Sequence, residues 1–274
     1  MTDAAIEVVL RRDRVVVGAA LLVVMALAWA YLLRLASDMD MGGMDMTGFR
    51  MIPAGIGIMA PAQAPWTGIE FAFVFAMWAV MMVGMMTPSA APMILLYARV
   101  GRQAATQGKP LAASGWFAGG YLLAWSSFSL AATLTQWAIE RASLLTPKMA
   151  SASEIFGGAV LVAAGLYQWT PLKDACLSQC RSPLMFIQRH GGFRGTASGA
   201  LGLGLRHGAY CVGCCWALMT LLFVGGVMNV LWIAAIAALV LLEKVVPTGR
   251  VIPRVAGTGF VVAGIWLLTM AARG

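Results

Sequence analysis

Charge is scarce in this chain. Only 11% of its 274 residues are Asp, Glu, Lys or Arg, against roughly a quarter in an ordinary soluble domain. That shortage excludes a solvated globular domain. The 61% of hydrophobic residues and a mean hydropathy of +0.82 point instead to a bundle of apolar helices. Histidine is scarcer still: there are two, too few for a cage of imidazoles. The five cysteines are an odd number and do not fit an extracellular disulfide framework. No Gly-x-x-x-x-Gly-Lys-Ser/Thr loop is present, so nothing points to an ATP-driven step. No Cys-x-x-Cys-His is present either, which disfavours haem at His190 or His207. A secretory signal is not visible, because the first apolar stretch is too long and no small-residue cleavage site follows it.

What the chain does contain is long apolar segments. They predict an all-α, polytopic transmembrane bundle of about seven spans, forming one domain over 1–274. Spans are expected near 15–36, 69–97, 112–138 and 154–169, then one ending near 223, one ending near 246, and the last at 255–271. The remainder is a polar head at 1–14, an outer loop at 37–68 and an inner loop at 171–205. The net charge of +8 comes from basic residues scattered at helix ends, so no nucleic-acid partner is expected. Fourteen of the nineteen Lys and Arg fall in the inner segments. That bias predicts a cytoplasmic N-terminus and a multi-pass place in a bacterial inner membrane, with the bilayer as partner.

Two stretches carry chemistry. In His207-Gly-Ala-Tyr-Cys211-Val-Gly-Cys214-Cys215 the four donors follow an i, i+4, i+7, i+8 pattern. On a helix they share one face. Cys176 and Cys180 lie in the inner loop, flanked by Lys173 and Arg181, whose charges would favour thiolates. A reducing cytoplasm favours metal ligation by these groups over a structural disulfide. Redox-active thiols and cysteines packed as small hydrophobes are the alternatives.

The second stretch, Ser37 to Met46, alternates Asp38, Asp40 and Asp45 with Met39, Met41, Met44 and Met46. Carboxylates attract a cation and thioethers select a soft one; otherwise this is a solvated segment with no ligand. The next span is crowded with methionine, and Met77, Met81 and Met85 share a face. Such a stripe either packs a core or offers weak sites along a path. Pro88 and Pro92 predict a kink and partial unwinding there. Glu243 is an ionisable group beside a membrane segment, hence a functional candidate; with Lys244 it also reads as a snorkelling pair at the interface.

Three blocks, 81–93, 167–183 and 207–219, resemble the signatures of a bacterial family of predicted metal-binding integral membrane proteins that carries the label copper chaperone. The resemblance spans about Phe71 to the C-terminus. It implies an inner-membrane protein that binds metal through 176, 180, 207, 211, 214 and 215.

The reading is a Cu(I)-handling membrane protein, with zinc as the alternative ion. Copper would be collected at Met39 to Met46, passed along Met81 and Met85, and received by Cys176, Cys180, His207, Cys211, Cys214 and Cys215. The expected partners are the metal ion and either a membrane complex or a soluble metallochaperone. Two other classes stay open: an assembly subunit with a metal staple, and a membrane thiol-disulfide oxidoreductase. A non-enzymatic role is favoured.

Overall fold

In the computed structural model the described residues are 3–39, 49–61, 64–108, 111–146, 149–246 and 249–273, with side chains described from residue 15 onward except at 39 and 106. They form ten helical segments and one two-stranded ladder. In chain order these are α1 (Asp3–Met39), β1 (Phe49–Met51), β2 (Met59–Pro61), α2 (Gly68–Thr106), α3 (Ser114–Arg141), α4 (Glu154–Tyr167), α5 (Pro171–Arg181), α6 (Pro183–Arg189), α7 (Ala197–Thr220), α8 (Leu222–Gly225), α9 (Val230–Val245) and α10 (Val251–Ala271).

The helix starts are written locally. Thr67, Ser153, Thr170, Thr196 and Asn229 each turn a side-chain oxygen onto the backbone N–H three residues ahead, satisfying a donor that the first turn leaves unpaired. Pro171 follows its cap at the first position of α5, where proline costs no hydrogen bond.

α2 is the central element. Trp78, Met77, Met81, Met82, Met85, Met86 and Tyr97 on it are all buried. It packs against α1, α3 and α9. Pro88 and Pro92 sit inside a helix that stays continuous from Gly68 to Thr106, so the expected unwinding does not occur. Hydroxyls take up carbonyls around the prolines instead: Thr87 donates to Val83, and Ser89 and Tyr121 both donate to Met86.

Glycine decides two helix pairs. A Cβ on Gly204 would collide with the Phe117 carbonyl, and one on Gly120 with the Leu201 carbonyl. α3 and α7 therefore run side by side in the same direction at backbone contact, as small residues permit. α4 and α10 cross antiparallel through Gly158 against Gly264 and Gly165 against Gly257. α10 turns most of its other side chains outward, among them Val255, Val262 and Trp266.

The segment expected as an irregular outer loop contains the antiparallel ladder β1–β2, with Arg50 opposite Ala60. Arg50 fastens the ladder to the bundle. Its Nε and Nη2 donate to the two Glu70 oxygens at 2.6 and 2.9 Å, and Nη1 donates to the carbonyls of Pro61 and Ala64. The bond to Glu70 pushes the guanidinium pKa above its ordinary value. The expected inner loop 171–205 is also structured: it comprises α5, α6 and the first turns of α7. Its polar composition masked short helices that lie against the bundle.

Five helices are long and apolar enough to cross a membrane, and α4 with α5, bent by 65°, makes up to six. α9 has 16 residues and α4 alone has 14, short of the roughly 20 that a hydrocarbon core requires. The expected seven spans thus include two segments that do not qualify on length.

The α3–α7 contact yields a stability expectation. Gly204→Ala should cost about 1–3 kcal/mol through overpacking, read as a lower unfolding temperature in detergent. Gly202→Ala, where a Cβ meets nothing within 4 Å, should raise that temperature slightly, as alanine does in place of glycine inside a helix.

Candidate metal centre

α7 delivers its donors to the interior. His207, Cys211, Cys214 and Cys215 are all buried, at 3%, 1%, 1% and 1% exposure. Because α7 begins at Ala197, Cys211 stands well inside the helix rather than at its mouth. Cys180 comes in from α5 as an electrostatic neighbour of Cys211 and Cys214. From α2, Met86 places its Sδ 3.9 Å from Cys215 Sγ. Four thiols and a thioether from three helices therefore share one pocket.

A cation already stands among them. Lys244, at the end of α9, extends its ammonium to 2.9 Å from Cys211 Sγ and 3.0 Å from Ser89 Oγ. Tyr121 supplies a second polar neighbour to Cys211, its hydroxyl oxygen 3.1 Å from Sγ. Cys214 and Cys215 donate back to the Cys211 carbonyl at 3.1 and 2.9 Å, as hydroxyl side chains do in mid-helix. Among the described residues, no three His, Cys, Asp or Glu side chains are arranged to hold one ion. A four-coordinate cage of the structural zinc type is thus not pre-assembled. A two-thiolate site of the kind that soft sulfur ligands offer a cuprous ion needs only that two thiols leave the carbonyl.

The other sequence candidates divide. Cys176 is half-buried, its Sγ against the backbone of Gly213 and an electrostatic neighbour of Cys214. His207 lies one turn before Cys211, with ring centroids of Phe117, Tyr121 and Phe186 at 5.9, 5.8 and 5.1 Å. Its buried Nδ1 has no hydrogen-bond partner among the described residues, which leaves a lone pair or a proton for a ligand. Met81 and Met85 are core residues, and the methionine that meets a thiol is Met86. The backbone of Met39 ends α1, while its side chain and Met41, Met44 and Met46 lie outside the described residues.

α5 is held in place by buried charge. Lys173 Nζ meets Glu243 Oε2 at 2.7 Å, both side chains almost wholly buried. Arg181 donates from Nε to the Glu243 carbonyl and from Nη1 to the Gly249 carbonyl. These cations therefore serve α9 rather than the thiols of Cys176 and Cys180 that they flank in sequence. Glu243 and Lys244 do not snorkel: both are buried, each with its own partner. Lys244, Tyr121, Ser89 and Met86 were not legible as one group, since they come from three helices far apart in the chain. The one available signal was an ionisable Lys beside an apolar run.

Glu243→Gln should leave Lys173 buried without a counter-charge, at a cost of about 3–5 kcal/mol. Thermal unfolding beside the Lys173→Met/Glu243→Leu pair tests this; the double variant should recover most of the loss.

A family model described as PpoB2, copper chaperone, matches residues 75–267. No curated protein and no solved structure matches the chain. The matched stretch runs from α2 to α10 and contains every residue of the thiol pocket, and by it this chain belongs to the copper chaperone family.

Proposed function

We propose that this protein is a multi-pass inner-membrane protein that takes Cu(I) as cargo in the pocket of Cys180, Cys211, Cys214 and Cys215. The observation that carries the reading is the single ammonium of Lys244 among soft donors. A cuprous ion on two thiolates has a net charge of −1. Placed alone in an apolar interior, an ion of that charge meets an idealised cost on the order of 20 kcal/mol. Lys244 brings the assembly to neutrality. Four thiolates on a divalent ion would carry −2, twice what one Lys offsets, so the pocket's charge favours the monovalent ion over zinc.

Each neighbour then has a task. Cys211, touched by both Lys244 and Tyr121, is the first ligand; Cys180, Cys214 or Cys215 swings off its resting contact to complete the pair. Met86 gives a weaker sulfur beside Cys215, suited to handing the ion over without trapping it. Methionines 77, 81 and 85 of α2 line the route towards the ladder end of the bundle, with the Met-Asp segment 38–46 as the outer collector. With no ATP-binding loop, movement is passive, drawn by membrane potential and thiolate affinity. The basic-residue bias places the N-terminus in the cytoplasm. The receiving partner is a soluble metallochaperone or a membrane complex on the thiol side.

Two measurements test this reading. The Cys211→Ser/Cys214→Ser/Cys215→Ser chain, purified in detergent and reconstituted with Cu(I), should retain at least tenfold less copper than wild type under chelator competition. Equal copper would refute the thiol site. Lys244→Met should weaken Cu(I) retention about tenfold, near 1.4 kcal/mol, while Lys244→Arg keeps most of it. If Lys244→Met binds as tightly as wild type, the charge argument is wrong.

A further inference from the structure

At the far end of α2 from the thiols, about 24 Å away by the sixteen-residue step from Met86 to Glu70 at ~1.5 Å each, lies a small cavity. β1, the end of α3 and the loop before α4 enclose it. Its volume is about 80 Å³, and its polar and sulfur-bearing walls are Arg50, Met51, Glu140, Thr146 and Met149. That is room for an ion with a water or two.

Its chemistry selects against an anion. Arg50 donates from Nε and Nη2 to Glu70 and from Nη1 to the Pro61 and Ala64 carbonyls, and it is ion-paired with Glu70. Arg50 thus faces two carboxylates, Glu70 and Glu140, which leaves one negative charge in surplus. The Glu140 oxygens accept from Gln136 Nε2 at 2.9 Å and Trp66 Nε1 at 3.1 Å, neutral donors that fix the carboxylate without neutralising it. Each oxygen keeps a further lone pair. Arg141, next in sequence, is turned away over the Trp137 ring. The cavity therefore has a net negative wall.

Its sulfurs select among cations. Met51 and Met149 are each only 4% exposed. Met149 adopts a left-handed backbone at φ 57°, at a cost of about 1 kcal/mol for a residue with a side chain. That conformation is held from both sides: its N–H donates to the Thr146 carbonyl at 2.8 Å, and its carbonyl accepts from the Val227 N–H at 3.1 Å. Met149 and Met51 both line the cavity. Two thioethers and one carboxylate suit a soft cation of single charge, the sulfurs giving selectivity and the carboxylate attraction.

We infer that this cavity is a second soft-metal site, binding Cu(I), or Ag(I) as its redox-stable analogue, through Met51, Met149 and Glu140. The identity of the ion rests on the copper reading above; the site itself does not depend on the thiols.

The test uses the full chain in detergent with all five cysteines changed to Ser and Met39, Met41, Met44 and Met46 changed to Leu, titrated with Ag(I) and read by bound silver and by the methyl signals of 13C-methyl-labelled methionine. The expected result is silver binding that Met51→Leu/Met149→Leu weakens at least tenfold and Glu140→Gln weakens several-fold. Met→Leu conserves volume, so the fold should survive it. In the cysteine-containing chain the same Met variants should keep the thiol-bound copper, which separates loss of this site from loss of the fold. Silver binding unchanged in both the Met and the Glu140→Gln variants overturns the proposal. So does a Glu140→Gln chain with full silver affinity whose Met51 and Met149 signals do not move on titration.

Discussion

The apolar interior of this bundle tolerates an ionised group only where a counter-charge meets it, and the end of α9 is built on that constraint. Glu243 and Lys244 are adjacent, so their side chains leave α9 about 100° apart. One meets Lys173 and secures α5; the other passes between α2 and α7 to Ser89 and Cys211. A single dipeptide thus fixes the helix that brings Cys180 and places the cation beside Cys211. Arg181 reinforces it by bonding the α9 carbonyl at Glu243 and the Gly249 carbonyl beyond. The pair adds to the packing of α5 on α7, which its own polar sequence supports mainly through Leu177, Cys176 and Cys180.

The second constraint is distance. Tyr121 reaches Cys211 because α3 and α7 touch through their backbones, and they touch because Gly120, Gly204 and Gly208 offer no side chain. Larger residues would move the tyrosine hydroxyl out of reach of the sulfur. The same packing buries Ser129, Thr133 and Gln136 along α3. Ser129 and Thr133 satisfy themselves on carbonyls one turn back, and Gln136 joins Trp78 to Glu140. α3 therefore carries polar groups from the thiol pocket to the ladder end: Tyr121, Ser129, Thr133, Gln136 and Glu140 are each partnered, while the buried Trp125 Nε1 has no partner among the described residues.

Much of this was written locally. The caps at Thr67, Ser153, Thr170, Thr196 and Asn229 and the long apolar runs mark most helices from sequence alone. The i, i+4, i+7, i+8 spacing of His207, Cys211, Cys214 and Cys215 requires a shared face if the stretch is helical, and the structure makes it helical and buries that face. Where local signals failed, a neighbour had supplied what the sequence lacked. The prolines of α2 did not unwind it: the helix runs on through both, with Thr87, Ser89 and Tyr121 hydrogen-bonded to the Val83 and Met86 carbonyls beside them. The stretch 171–205 looked like a loop because short helices lying on a bundle need not be apolar throughout.

The sequence by itself determined that the chain is helical, that its interior is sulfur-rich, and that thiols and an imidazole fall on one face of one helix, since periodicity and composition are properties of neighbours in the chain. It could not determine which residues would meet them. Met86 rather than Met81 or Met85 reaches a cysteine, and Lys244 places its ammonium beside Cys211. Those choices depend on the rotation and depth at which α2, α5, α7 and α9 pack. Glycine contacts and one buried ion pair set that packing between residues tens of positions apart, and only the tertiary structure decides it.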